Sequence, residues 1–439
     1  MVILLDKNSF PSVNKMIKIG IYFPGEGLEN INMCYPEDGN PGMGGTEYCE
    51  LILAYNLSLM NSRYDCRIIS HVQLNLPSTI PNIVISSFDH LKILDGKLDI
   101  LILKTPRTKF EYDILNSLVQ TKIITWSHNY LNSHITKWIS ESQAISLNVF
   151  VSRQMYDFYL DDNIITKSTS IFNIVYDTLG ECIRSPQKNV VTFMGALTKT
   201  KGIVELFKIW EIIEREIPDA KLNIIGGGNL YNRNLKIGSL GLTDEATENE
   251  ILKYIITPDG KIKPSIRFLG ILGKEKYEVF LKSSVGIVNP SAKTETFGLG
   301  IIEMATAKLP VVTLNWNGHP DTAINNQTAL LGNNIKDMAS KIILLFNNMN
   351  LNMSLGEEGK RQVKRFAPCN IMPQWEEAIL NVIHGSKKNK INHFSPPLWN
   401  NYKFVRIINS FFRFKLKLKF LPSIIMVETF IYKIIRQVR

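Results

Sequence analysis

Two glutamates eight residues apart, Glu295 and Glu303, sit in the string VGIVNPSAKTETFGLGIIEMATAKLPVVTLNWNGHPD at 285–321. A strand-like run ends at Asn289-Pro290, Glu295 falls in the loop, and Thr296-Phe297-Gly298-Leu299 lead into a helix carrying Glu303. Both carboxylates then face the mouth of a sheet, where a bidentate acceptor suits the paired hydroxyls of a sugar or ribose. A lone Glu pair at this spacing is coincidence in most proteins, so the whole string carries the reading. In VVTFMGALTKTKG (190–202), a strand ends at Gly195, and Lys199 and Lys201 precede Gly202 at a helix start. A lysine beside a helix N-terminus is a natural diphosphate contact, although a solvated surface lysine fits the same residues. In NPGMGGTEYCELILAYNL (40–57), Gly42, Gly44 and Gly45 offer backbone free of Cβ atoms next to a helix N-terminus. N–H groups and the helix dipole there can face an anion. The spacing is neither G-x-G-x-x-G nor a P-loop, which disfavours the usual dinucleotide and NTPase readings.

These segments need strands to hold them. Short apolar runs alternate with helix-period stretches to about residue 345. The first set comprises 17–23, 66–70, 83–86, 100–104, 123–127, 149–152 and 169–172. The second comprises 189–194, 221–225, 266–269, 285–288 and 311–314. Near-continuous apolar runs such as DILILK suit parallel strands covered on both faces. The alternation predicts βαβ units, hence an α/β fold with two doubly wound, Rossmann-like domains. RSPQKN (184–189) reads as the linker between them. Pro368 opens a further helix with Trp375 and Ile379 on one face, followed by a polar connector at 386–401.

The chain has 439 residues, room for two or three domains. With 45% hydrophobic and 21% charged residues it has globular composition. Five scattered cysteines, none with CxxC spacing, indicate neither zinc nor a disulfide framework and suit a reducing compartment. MVILLDKNSF lacks an apolar stretch long enough for a secretory signal. The most apolar window, 421–435, is interrupted by Glu428 and Lys433 and is too short to span a bilayer. His71, His90, His134 and His319 are isolated and read as surface or structural residues.

Net charge is +10, unevenly spread. His384–Arg439 carries 12 Lys+Arg and a single acid, Glu428, for +11, leaving the rest of the chain at −1. Within 402–439, bases interleave with Phe411, Phe412, Phe414, Phe420, Phe430 and Tyr432. FRFKLKLKF alternates strictly and is not expected to form an amphipathic helix, whereas IIMVETFIYKIIRQV fits one. The expected partner of this basic aromatic tail is an anionic membrane surface; packing on the first lobe with snorkelling lysines is the alternative. No nucleic-acid motif accompanies the charge, so nucleic acid is not expected as a partner.

The 285–321 string resembles the nucleotide-binding signature of retaining glycosyltransferases of family 4, the group 1 glycosyltransferases with the GT-B fold. Pro290-Ser291, Glu295-Thr296-Phe297-Gly298-Leu299, Glu303 with Ala305, Pro310-Val311-Val312 and Gly318 carry the likeness. Gly44-Gly45-Thr46-Glu47, Trp126-Ser127-His128-Asn129, Val151-Ser152-Arg153, Phe172-Asn173, Phe193-Met194-Gly195 through Lys201-Gly202, and Ile224–Gly228 follow in the family's order. The resemblance covers about residues 16–383. It implies two Rossmann-like domains facing across a cleft: an acceptor domain at 1–184 and a donor domain at 185–365. A crossover helix at 366–385 would return to the first domain, leaving the tail at 386–439.

The resemblance also implies roles. Lys201, aided by Lys199, would bind the donor diphosphate, with Gly195 in the same loop. Glu303 would hold the ribose and Glu295 the transferred sugar. Backbone N–H groups at Phe297, Gly298 and Leu299 would meet sugar and phosphates, and Gly44 and Gly45 would approach the diphosphate from the other lobe. His128 would sit near sugar and acceptor. Glu295, His128 and Lys201 form the expected catalytic set. The expected reaction is metal-independent sugar transfer from a nucleotide diphosphate sugar, a co-substrate with no cofactor, to a glycan or lipid-linked glycan hydroxyl. Its setting would be surface polysaccharide or lipopolysaccharide assembly, cytoplasmic and peripheral on the membrane face. Ala196 stands where the family usually has Arg, Lys308 where Gly is usual, and Asp321 where Glu is usual. Ala196 keeps open a catalytically weak, nucleotide-sugar- or partner-binding protein. An epimerase or phosphorylase on the same fold is a third class.

Overall fold

A computed structural model describes residues 16–230, 236–291, 294–386, 395–418 and 420–438. The N-terminal decapeptide and Lys387, Lys388, Lys390, Lys419 and Arg439 of the basic segment lie outside the described residues.

The first sheet holds β1 (Ile17–Tyr22), β2 (Tyr64–Ser70), β3 (Asn82–Val84), β4 (Ile100–Lys104), β5 (Lys122–Ser127), β6 (Ile145–Phe150) and β7 (Ser168–Ser170). The second holds β8 (Val190–Met194), β9 (Lys221–Ile225), β10 (Ile266–Gly270), β11 (Val285–Ile287), β12 (Val311–Leu314) and β13 (Ala329–Gly332). Their orders are β3-β2-β1-β4-β5-β6-β7 and β10-β9-β8-β11-β12-β13. Every pairing is parallel, for example Ile19 with both Cys66 and Ile100. Ile19, Ile68, Ile100 and Ile102 are wholly buried, as strands covered by helices on both faces require. The order in which strands are added switches sides between β1 and β4 and again between β8 and β11, the points where α/β sheets open a crevice for ligands.

The helices are α1 (Gly45–Leu59), α2 (Lys109–Asn116), α3 (Ser133–Glu141), α4 (Arg153–Phe158), α5 (Ile203–Glu216), α6 (Glu245–Ile255) and α7 (Lys276–Lys282). There follow α8 (Leu299–Thr306), α9 (His319–Thr322), α10 (Ile335–Asn347), α11 (Met349–Val363), α12 (Pro368–His384), α13 (Lys403–Ser410) and α14 (Ile424–Val438). Local chemistry sets their starts. Thr108 and Glu111 form a reciprocal capping box on α2, and Ser152 caps α4 through the Met155 N–H at 3.1 Å.

Each lobe has its own core, and α12 belongs to the first. Its Ile371, Trp375 and Ile379 pack among the first lobe's buried residues, with Trp375 edge-on to Trp126 at 4.9 Å. Removing so large a buried ring costs about 3–5 kcal/mol. Of the stretch expected not to be helical, residues 412–415 are helical while 416–418 are not. Phe411–Lys415 continues α13 as a π-helical turn, and Lys403, Arg406 and Arg413 are buried along it.

Candidate active site

The loops that leave β1, β8 and β11 converge on one cavity of about 450 Å³ between the lobes, within the size range of small-molecule sites. The first lobe supplies Gly45, Lys104, Arg107 and His128, and the second supplies Gly195, Lys201, Glu295, Phe297, Leu299 and Glu303. Two hydrogen bonds tie the lobes together at the cleft. Thr296 donates its hydroxyl to the His128 carbonyl at 2.7 Å, and Gln154 N–H donates to Asp321 at 2.7 Å.

Two positive-φ glycines hold the second-lobe loops. Gly202 (φ 77°) opens α5, and a Cβ there would stand 2.6 Å from the Ser291 nitrogen. Gly298 (φ 92°) opens α8, and its Cβ would stand 2.9 Å from the Thr322 hydroxyl. A larger residue at Gly202 would push the lysine loop away from Pro290-Ser291, and one at Gly298 would push α8 away from α9.

Lys201 Nζ lies 3.0 Å from Glu295 Oε2. Glu295 also accepts from the Gly298 N–H at 3.0 Å and the Asn289 amide at 3.3 Å. Burial pushes its carboxyl up, but the Lys201 charge, His319 and the hydrogen bonds outweigh that and hold it at about 2. At neutral pH the pair is an ionised lysine held by an ionised carboxylate.

His128 is buried beside Trp126, and burial, then the Lys104 charge, bring it down to about 3. Its imidazole is neutral, and among the described residues Nε2 is buried without a hydrogen-bond partner. Such a ring can exchange one hydrogen bond with a ligand hydroxyl. Glu47 Oε2, in the first turn of α1, is likewise buried without a partner, and Glu47 lines the cavity.

Glu303 is gripped from within the site. Lys276 Nζ lies 2.7 Å from its Oε1 and donates to the Asn40 carbonyl of the opposite lobe at 3.2 Å. Lys276 was not legible as a site residue, because GKEKYEVF reads as a solvated charge run and only the α7 N-terminus turns it inward. His319 was set aside as an isolated histidine. It is buried at the start of α9, where its Nδ1 approaches the Thr313 hydroxyl and the Leu314 carbonyl, and its position in Gly-His-Pro was the available signal.

Not every expected residue enters the cavity. Gly44 is the N-cap of α1 and Gly298 reaches the site through its N–H, yet neither lines the cavity wall. Lys199 also stands outside the wall, half exposed and paired with Glu250 at 2.6 Å. Ala196 lines the cavity and supplies no charge.

Two facing Rossmann-like lobes with this interlobe cavity define the GT-B glycosyltransferase architecture. Residues 183–362 match the family described as "Glycosyl transferases group 1". The chain is 26% identical over 227 residues to an uncharacterized glycosyltransferase of Methanocaldococcus jannaschii, covering 51% of this chain and 54% of that one. It is 25% identical over 262 residues to the capsular polysaccharide biosynthesis glycosyltransferase CapM of Staphylococcus aureus, covering 58% and 60%. It thus matches between half and three-fifths of the length of these curated relatives. Anabaena HepE, solved in complex with UDP-glucose, has the same fold, with a TM-score of 0.61 at 13% identity over 83% of this chain and all of that one.

Proposed function

We propose that the protein transfers a sugar from a nucleotide diphosphate sugar to a glycan hydroxyl, with retention of anomeric configuration. The observation that carries this is the Lys201–Glu295 pair, ionised and aimed into a cavity between two nucleotide-type crevices. A departing diphosphate gains negative charge as the glycosidic bond breaks. Lys201 would exchange its carboxylate for that charge, and the N–H groups of the 297–299 turn would add donors. Glu295, freed from the lysine, would accept from sugar hydroxyls, and neutral His128 would orient the sugar or acceptor. Glu303 would hold the ribose once Lys276 yields. Lobe closure would exclude water and limit donor hydrolysis.

The first lobe takes the acceptor role in this reading and the second the donor role. Resemblance to CapM, together with the tail, favours a surface-polysaccharide or lipid-linked acceptor at the cytoplasmic membrane face, met through residues 402–439. Among the described residues no helix is long and apolar enough to cross a membrane.

A second reading, a nucleotide-sugar-binding protein with weak turnover, is favoured by Ala196, which leaves Lys201 without the usual arginine beside it. A thermal-shift screen of nucleotide sugars, followed by donor hydrolysis with wild type, Glu295→Ala and Lys201→Ala, separates the two. Turnover lost in both variants supports transfer. Binding with no wild-type turnover supports the binding protein.

A further inference from the structure

The segment beyond residue 395 is built inside out. Lys403, Arg406 and Arg413 recur at helical spacing and form the buried face of α13 and its π-helical turn. Lys403 Nζ lies 3.1 Å from Asp157 and donates to Gln154 Oε1 at 2.8 Å. The Arg406 guanidinium stacks 3.9 Å above the Phe158 ring and bonds Glu428 at 2.5 Å. Arg413 donates to the Asp161 carbonyl. The other face of the same helix turns Phe404, Ile408, Phe411 and Phe412 to the outside, and α14 adds Phe430 and Ile434. A helix on a water-facing surface has the reverse polarity, and a continuous exposed apolar face marks an interaction site.

Charge selects the partner. Lys415, Lys417 and Lys433 are exposed around the apolar face. Glu428, the single acid from His384 to Arg439, is already held by Arg406. A second copy of this chain would set lysines against lysines with no free carboxylate from the segment to separate them. An anionic lipid face complements the rim, while aromatic rings suit the boundary between headgroups and acyl chains.

We propose that α13 and α14 form a preassembled interfacial anchor whose aromatic face inserts among lipid acyl chains, rather than a basic tail that adsorbs by charge. This rests on the reading of residues 402–439 as the membrane-facing segment and assigns its cations to two sets. The inner set clamps the anchor to α4, and the outer set meets lipid phosphates. The root of the anchor also reaches the second lobe. Asn400 donates to the Asn317 carbonyl at 2.8 Å and accepts from the Asn317 N–H at 3.0 Å, one residue before the Gly318 N–H that donates to the Glu295 carbonyl. The anchor thereby fixes the cleft in relation to the lipid surface.

The test is flotation of the full chain with phosphatidylcholine vesicles, with and without phosphatidylglycerol, at low and high salt. Variants are Phe411→Ser/Phe412→Ser/Phe430→Ser and Lys415→Gln/Lys417→Gln/Lys433→Gln, with thermal melting as the folding control. Insertion predicts wild-type binding that survives high salt. It also predicts a loss on the order of tenfold in the serine variant and a smaller, salt-sensitive loss in the glutamine variant. Complete release of wild type by salt, or serine-variant binding equal to wild type, overturns insertion and leaves the membrane reading standing. No binding under any condition overturns both. A wild-type dimer in light scattering that becomes monomeric in the serine variant assigns the face to a second copy and also overturns the proposal.

Discussion

Lys201–Glu295 in the cleft and Lys403–Asp157 under α13 are both lysine–carboxylate pairs, in different surroundings. The side chains of the first are 20% and 13% exposed and line a cavity. Those of the second are 2% and 0% exposed, and Arg406 beside Asp161 is sealed completely. Accessibility decides what each pair does. An open pair can surrender its lysine to an arriving diphosphate, because the released carboxylate finds new donors. A sealed pair admits no ligand to take either partner's place, so it works as a lock. Lys276–Glu303 combines the two, nearly sealed yet on the cavity wall, and its lysine also reaches across to the opposite lobe.

The largest effect is expected at the lock. Asp157→Ala would take the buried carboxylate away from Lys403 and should cost about 3–5 kcal/mol in chemical denaturation. Lys201→Ala should cost less, about 1–2 kcal/mol, because the cavity lets solvent reach the released Glu295, and should lower kcat/KM for donor turnover by about 10²–10³-fold. Equal destabilisation by the two substitutions would erase the contrast.

Glu295 supplies a pH test. Its carboxyl is held at about 2 against an ordinary 4.5, so its stabilising contribution is complete above about pH 4.5 and is lost as pH falls through about 2. The stability difference between wild type and Glu295→Gln should therefore be on the order of 2 kcal/mol near neutrality and shrink towards pH 2, as read by denaturation at several pH values. The smallest effect is a gain: Ala196→Arg, adding a cation to the cavity wall, should tighten nucleoside diphosphate binding by about threefold to tenfold. Calorimetric titration of the variant checks it.

Both sheets were legible because parallel strands buried on two faces write themselves as apolar runs, as in Ile100–Lys104. Ala329–Gly332 escaped because four small and apolar residues between Gln327-Thr328 and Asn333-Asn334 are too short to show a period. Glu295, Glu303 and Lys201 were readable from the loops that follow strands. Lys276 was hidden because its importance comes from the tertiary turn that buries it. The helical turn at 412–415 escaped for a related reason. Its helical period is carried by inward cations, while hydrophobes, the usual marker of a buried face, lie outside.

Isothermal titration of nucleoside diphosphates against wild type and Lys201→Ala tests the central claim most directly, with matched thermal melting to confirm folding. The expected result is binding to wild type that weakens by at least about tenfold in the variant. Equal affinity in the two proteins, or no binding of any nucleoside diphosphate to wild type, would contradict the assignment of the cleft.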